Sequence, residues 1–270
     1  MNSRRVNTVL GAVTIGVYLF LFGPLVIAIL LAFSDASFAV FPIKGFSLKW
    51  FYTLANNTAV LHALGVSILL GIVAATIAVL IGVPAAMALN RYQLPGSRFI
   101  NFLIISPILI PETILAVGLL LLLQWGNQPR SIGLLLCGHV MLSVPYVVLI
   151  VQARLVGVKQ IYEDAARSLG ANNLQTFREV TLPLMMPAVG AGGLLAFVLS
   201  FDNITATLFW RPGGIETVPT TIYGMLRDSI SPEINALGTV MVFITVCLPL
   251  LGGQVFRLIT SRRRKSAGAI

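Results

Sequence analysis

Six long apolar runs, separated by short polar intervals, carry this chain from end to end. They fall roughly at Leu10 to Phe33, Ala63 to Leu89, Ile100 to Leu123, Gly133 to Val151, Met186 to Phe209 and Ala236 to Ile259. Each comes close to the ~20 apolar residues that a helix needs to cross a hydrocarbon core, so six membrane-crossing helices are predicted. Proline recurs inside them, at Pro24, Pro84, Pro107, Pro111, Pro145 and Pro249. Membrane helices tolerate it because neighbouring groups satisfy the freed carbonyls. Ser34 to His62, Gln124 to Ile132 and Trp210 to Asn235 are predicted loops on one side of the membrane. The turn Arg91-Tyr92-Gln93-Leu94-Pro95-Gly96 and the long polar interval 152–185 fall on the other. No repeat breaks the pattern, and residues 1–270 are expected to form a single membrane domain.

Composition leads to the same solvent. The 270 residues are 57% hydrophobic and 10% charged, with a mean hydropathy of +0.93. A soluble domain carries roughly 25% charged residues, so a water-soluble core is excluded. Cys137 and Cys247 sit inside apolar runs without a metal-type spacing partner and read as small hydrophobes. The Arg4-Arg5 start leads into a run too long for a signal core, which is expected to remain as a first membrane anchor. Thirteen of the 18 basic residues collect on the side that holds both ends and the 152–185 interval, so both termini are expected to be cytoplasmic. The net charge of +9 is then mainly a topology signal. The Arg262-Arg263-Arg264-Lys265 tail is expected to rest on anionic lipid, with nucleic acid as the weaker alternative. Trp50, Trp125 and Trp210 lie at predicted outer boundaries, as in an aromatic belt.

The longest water-compatible interval runs through Glu163-Asp164-Ala165-Ala166-Arg167-Ser168-Leu169-Gly170 to Leu182-Pro183. Helical spacing puts Ala165, Ala166 and Leu169 on one side, while Glu163, Asp164 and Arg167 project polar groups. Gly170 is expected to end this helix in a positive-φ cap. A second short helix is expected from about Leu174 to Val180, stopped by Pro183, which has no N–H to continue it. Such a hairpin is either an ordinary interfacial loop or a surface offered to a soluble partner.

The interval also resembles the EAA loop of ABC-importer permeases: Glu-x-Ala-Ala, three residues, Gly, a spacer, then Leu-Pro, with Asp164 at the variable site. The resemblance implies the type I importer permease fold, all α, in which the loop couples the membrane domain to a separate ATPase. It implies a contact face of Ala165, Ala166, Leu169 and Gly170, with Glu163 making polar contacts to the ATPase and Asp164, Leu182 and Pro183 completing the coupling element. Longer strings point to one branch. Gly45-Phe46-Ser47-Leu48-Lys49-Trp50-Phe51, Ser106 to Glu112, Gly138-His139, Pro145-Tyr146, Ser200-Phe201-Asp202-Asn203 and Ser231 to Leu237 resemble the second permease subunit of spermidine/putrescine importers. Relatives of that branch that carry opines or aminoethylphosphonate supply the alternative substrates.

Two acids fall inside predicted spans, Glu112 and Asp202. A carboxylate in the bilayer costs about 2.5–3.5 kcal/mol on insertion scales, so such groups face the protein interior or a water path. They are candidates for attracting a cationic substrate, with Asn203, Phe201, Trp210 and Tyr146 as neighbours able to add polar and cation–π contacts. The plainer alternative is a packing acid bonded to a nearby Ser, Asn or backbone group. His139 and His62 lack partners at ligand spacing, and metal binding is not expected. No phosphate loop, nucleophile elbow or His-Glu-x-x-His pair occurs.

The expectation is a multi-pass permease subunit of the bacterial inner membrane and not an enzyme. No cofactor is expected in this chain, since ATP and Mg would sit on partner ATPase subunits. The expected partners are a homologous permease, two ATP-binding cassette subunits and an external substrate-binding protein, with no nucleic acid. A secondary transporter working without ATPases is the alternative from another class.

Overall fold

The computed structural model describes the backbone of residues 3–38, 42–92, 94–228 and 231–267, and their side chains except at 3–6, 228 and 255–267. Gln93 of the predicted turn and the side chains of Arg4, Arg5, Arg257, Arg262, Arg263, Arg264 and Lys265 lie outside the described residues. Among the described residues twelve α-helices follow one another: α1 Ser3–Ala32, α2 Lys49–Asn56, α3 Thr58–Arg91, α4 Ser97–Leu109, α5 Glu112–Trp125 and α6 Ile132–Val156. After them come α7 Ile161–Ser168, α8 Asn173–Thr176, α9 Leu182–Phe201, α10 Thr205–Trp210, α11 Val218–Asp228 and α12 Pro232–Ala267. A π-helical turn, Phe177–Thr181, joins α8 to α9. Among the described residues the only β pairing is an isolated bridge between Ser34 and Phe46.

Among the described residues five helices are long and apolar enough to cross a membrane, and a sixth arises if α4 and α5 count as one span. The predicted third span is not straight, because α4 and α5 meet at 105°. The cause is local. Ile110, the residue before a proline, is pushed to an extended conformation (φ −95, ψ 131), and Pro111 follows with ψ 130. The predicted fifth span is also shorter than its apolar run. Helix α9 stops at Phe201, and α10 restarts at Thr205 after a break at Asp202 and Asn203. Short polar side chains compete for backbone groups at such places, and Asn203 Oδ1 accepts from the Thr207 N–H at 3.1 Å.

Pro183 does not stop the second hairpin helix. The helical run is continuous from Asn173 to Phe201. Pro183 sits inside that run directly after the π turn, whose wider spacing, with the Leu182 N–H bonded to the Phe177 carbonyl, accommodates a residue that lacks an N–H.

Internal contacts divide the chain into two units, Met1–His62 with Thr221–Ile244, and Ala63–Thr220 with Thr245–Ile270. In the first, the apolar side chains of α1 are exposed along most of its length, as for a helix solvated by lipid. The Trp50 indole donates to the Ser34 carbonyl at 2.9 Å, and the rings of Phe33 and Phe51 lie 5.0 Å apart. In the second unit α6 is central. It packs chiefly against α9, and its Val147, Val148, Val151 and Leu155 are fully buried. A smaller cluster gathers Leu70, Ala116, Leu135, Ala206 and Trp210. Trp210 is therefore a core residue with 0% exposure, not part of an outer belt, whereas Trp125 is exposed.

Candidate functional site

Two places in the second unit hold the residues singled out by the sequence. The first is the polar hairpin. Helix α7 ends as expected, with Gly170 at φ +91, a backbone region where a side chain is strained. The Gly170 N–H donates to the Arg167 carbonyl at 2.9 Å and the Ala171 N–H to the Ala166 carbonyl at 3.1 Å. These two bonds satisfy the last carbonyls of the helix as a Schellman cap. Helix α8 then opens with a reciprocal cap: the Gln175 N–H donates to Asn172 Oδ1, and the Asn172 N–H to Gln175 Oε1, both at 2.9 Å. Four residues, Leu169 to Asn172, with both of their helix ends capped, thus separate two short helices.

Leu169 is 90% exposed at the tip of this hairpin, with Ile161, Tyr162, Ala165 and Gly170 exposed and Ala166 half-buried. Asp164 is exposed and paired with Arg167 at 3.1 Å. Glu163 turns the other way. Only 4% exposed, it accepts from Arg91 Nε at 3.0 Å and lies 3.9 Å from Arg167 Nη2. The outward polar contact expected of Glu163 is replaced by an internal one. Leu182 and Pro183 belong to the first turn of α9, beyond the hairpin.

The second place is a groove of about 610 Å³ lined by Pro107 to Glu112, Leu142, Tyr146, Val198, Leu199 and Asp202 to Thr205. It lies where the α4–α5 bend meets the α9–α10 break, so four of the predicted pathway residues, Glu112, Tyr146, Asp202 and Asn203, share one wall. Glu112 Oε1 accepts from Asn203 Nδ2 at 2.5 Å and from the Ala206 N–H at 3.2 Å. One carboxylate oxygen is therefore a packing group that holds the start of α10. Asp202 is exposed, and its Oδ1 accepts from Thr245 Oγ1 at 3.1 Å.

Phe201 and Trp210 are not groove residues. Phe201 is buried and stacks on Phe197 at 5.5 Å between ring centroids. Trp210 donates its indole N–H to the Ala116 carbonyl at 2.9 Å. Both face the core, Phe201 from the last turn of α9 and Trp210 from the last turn of α10, on the far side of the break.

Sequence reasoning missed the residues that hold the break. His139 is buried, with Nδ1 2.7 Å from Ser200 Oγ and Nε2 3.0 Å from Thr207 Oγ1. It thereby ties the last turn of α9 to α10. Beside it, Gly138 lets the Trp210 ring approach its backbone. The pair Gly138-His139 carried the signal, but only the fold shows what it does. Arg91, read as a topology charge, is the other missed residue. Among the described residues no three His, Cys, Asp or Glu side chains gather as metal ligands.

Comparison with known proteins agrees with this architecture. Residues 78–265 match the family described as binding-protein-dependent transport system inner membrane component. The chain is 32% identical to the spermidine/putrescine transport system permease protein PotC of Escherichia coli strain K12, over 92% of this chain and 93% of that one. It is 33% identical to the putrescine transport system permease protein PotI of the same strain, over 83% of this chain and 82% of that one. Among solved structures it resembles a chain of a bacterial ABC transporter that imports the acidic polysaccharide alginate, with a TM-score of 0.71. That likeness covers 94% of this chain and 96% of the other at 16% identity, and speaks for the fold.

Proposed function

Because the chain belongs to the family of binding-protein-dependent transport system inner membrane components, we propose that it is one permease subunit of an ATP-driven importer for a cationic polyamine such as putrescine or spermidine. Both termini and the 161–183 hairpin face the cytoplasm of a bacterial cell, and the loops 34–62, 124–132 and 210–235 face outward. A homologous permease completes the membrane path. Two ATP-binding cassette subunits hydrolyse ATP, holding it with Mg on their own residues, and an external binding protein delivers the substrate. This chain catalyses no bond cleavage.

The observation that carries this reading is the exposed face of α7. An apolar tip with Leu169 at 90% exposure, on a helix with a built cap, is covered by nothing among the described residues. Burying one such leucine contributes roughly 1.5–3 kcal/mol, enough to seat a soluble subunit when neighbours join it. The hairpin then moves with the ATPase, and the groove opens alternately to either side. In the groove, the free oxygens of Glu112 and Asp202 supply negative charge for an ammonium group while Tyr146 offers a ring face.

The test is co-expression with a partner permease and an ATPase subunit of a binding-protein-dependent importer. Expected are co-purification of the ATPase and ATP-dependent uptake of radiolabelled putrescine or spermidine when the binding protein is present. An ATPase that never co-purifies would rule out the assembly. Uptake of other solutes only would rule out the substrate class.

A further inference from the structure

Arg91 is the last residue of α3, and its guanidinium reaches two points of the hairpin base. Nε donates to Glu163 Oε1 at 3.0 Å, and Nη2 donates to the Val158 carbonyl at 2.8 Å. The side chains are 12% and 5% exposed, so the pair is largely withdrawn from water. Removing Arg91 leaves Glu163 only the longer contact to Arg167, and removing Glu163 leaves the Arg91 guanidinium only the Val158 carbonyl, so either loss leaves a buried charge undercompensated. From Gly71 to Arg91 the helix spans about 30 Å at 1.5 Å per residue. Along that length Gly82 touches Val147 of α6, and Gly71 lies against the Phe197 ring. Phe197 stacks on Phe201, the residue before Asp202 at the groove. Further along, Ser67 Oγ accepts from the Val218 N–H at 2.8 Å.

Helix α3 therefore connects the hairpin with the Phe197–Phe201 pair behind the groove, and the Arg91 ion pair and hydrogen bond are part of its attachment to the hairpin base. We propose that Arg91 and Glu163 form a mechanical joint through which α7 drives α3, and that α3 carries the displacement to the buried Phe197–Phe201 pair next to Asp202. On this assignment Glu163 is a positioning residue acting inside the chain, while the ATPase is gripped by Ala165, Leu169 and Gly170. The joint rests on the importer reading above. A contiguous path alone does not establish energetic coupling, so the joint has to be broken and remade.

The experiment uses the full importer in proteoliposomes, comparing wild type, Glu163→Gln, Arg91→Gln and the exchanged pair Arg91→Glu with Glu163→Arg. ATPase co-purification, ATP hydrolysis and uptake of radiolabelled putrescine are read together. The single variants are expected to keep the ATPase bound, while putrescine taken up per ATP falls about tenfold. The exchanged pair is expected to recover part of that loss, because it restores the ion pair but not the bond to the Val158 carbonyl and sets a cation at 163 beside Arg167. The joint is overturned if the single variants shed the ATPase, if uptake per ATP is unchanged, or if the exchanged pair is as poor as the singles. Where a single variant fails to accumulate, the exchanged pair decides: restored accumulation and coupling support the joint, and loss of both overturns it. A wild-type chain that binds no ATPase would instead refute the importer reading, which separates the two failures.

Discussion

Replacing Gly138 with alanine is expected to cost about 3 kcal/mol, which the surroundings of the Trp210 ring make calculable. An ideal Cβ at residue 138 would lie 2.2 Å from Trp210 Cε3 and Cζ3 and 3.0 Å from Cη2. Carbon atoms rest at about 3.5–4.0 Å, so the ring has to retreat by roughly 1.5 Å. It has nowhere free to go, since it is fully buried among Leu70, Ala116, Leu135 and Ala206. A shift of that size also breaks the 2.9 Å bond from the indole N–H to the Ala116 carbonyl. Overpacking costs about 1–3 kcal/mol, and an orphaned buried donor adds about 1–3 kcal/mol. The measurement is the thermal midpoint of the detergent-purified chain, followed by fluorescence size-exclusion. The expected drop for Gly138→Ala is roughly 5–10 °C. In a double-mutant cycle with Trp210→Phe, which removes most of the colliding atoms, the two losses should be well below additive. A midpoint within about 1 °C of wild type, or strictly additive losses, would refute the close-approach reasoning.

Other expectations concern the hairpin and the groove. Leu169→Ala leaves the fold intact but weakens ATPase binding by about 2 kcal/mol, roughly thirtyfold, as read by titration of detergent-purified complexes. Unchanged affinity would remove α7 from the interface. Gly170→Val forces a β-branched residue to φ +91, at a cost of about 1–3 kcal/mol to the local turn. It is expected to lower putrescine uptake per ATP with the membrane helices still folded, and undiminished uptake would contradict it. Glu112→Gln and Glu112→Leu separate the two roles of that carboxylate. The amide oxygen of Gln can still accept from Asn203 and the Ala206 N–H, so stability holds while uptake of the cation falls. Leucine orphans both donors and lowers stability by about 1–3 kcal/mol for each. Full uptake by Glu112→Gln would leave the residue as a packing acid alone.

Length and hydropathy made the membrane helices legible, because a run of apolar residues announces a span whatever it packs against. The same uniform apolarity hid the breaks. At Ile110-Pro111 and Asp202-Asn203 the backbone turns within runs read as continuous, and those turns create the groove. Proline and a short polar pair were visible there, but membrane helices carry both without breaking. Pro183 misled in the opposite sense, since a π turn absorbs it. The cap at Gly170 was legible because its cause is local. Glu163–Arg91 and His139–Thr207 join residues far apart in sequence, and no local pattern encodes such pairs. Phe201 and Trp210 looked like pathway aromatics by nearness to Asp202, yet Phe201 turns into the core at the end of α9 and Trp210 does so from α10, beyond the break.

The most direct measurement is putrescine uptake by proteoliposomes holding the permease pair, with and without the ATPase subunits, ATP and the loaded binding protein. Uptake only when all of these are present is the expected result. Uptake by the permease alone, driven by an ion gradient, would contradict an ATP-coupled importer and make Glu112 and Asp202 the ion sites of a secondary transporter.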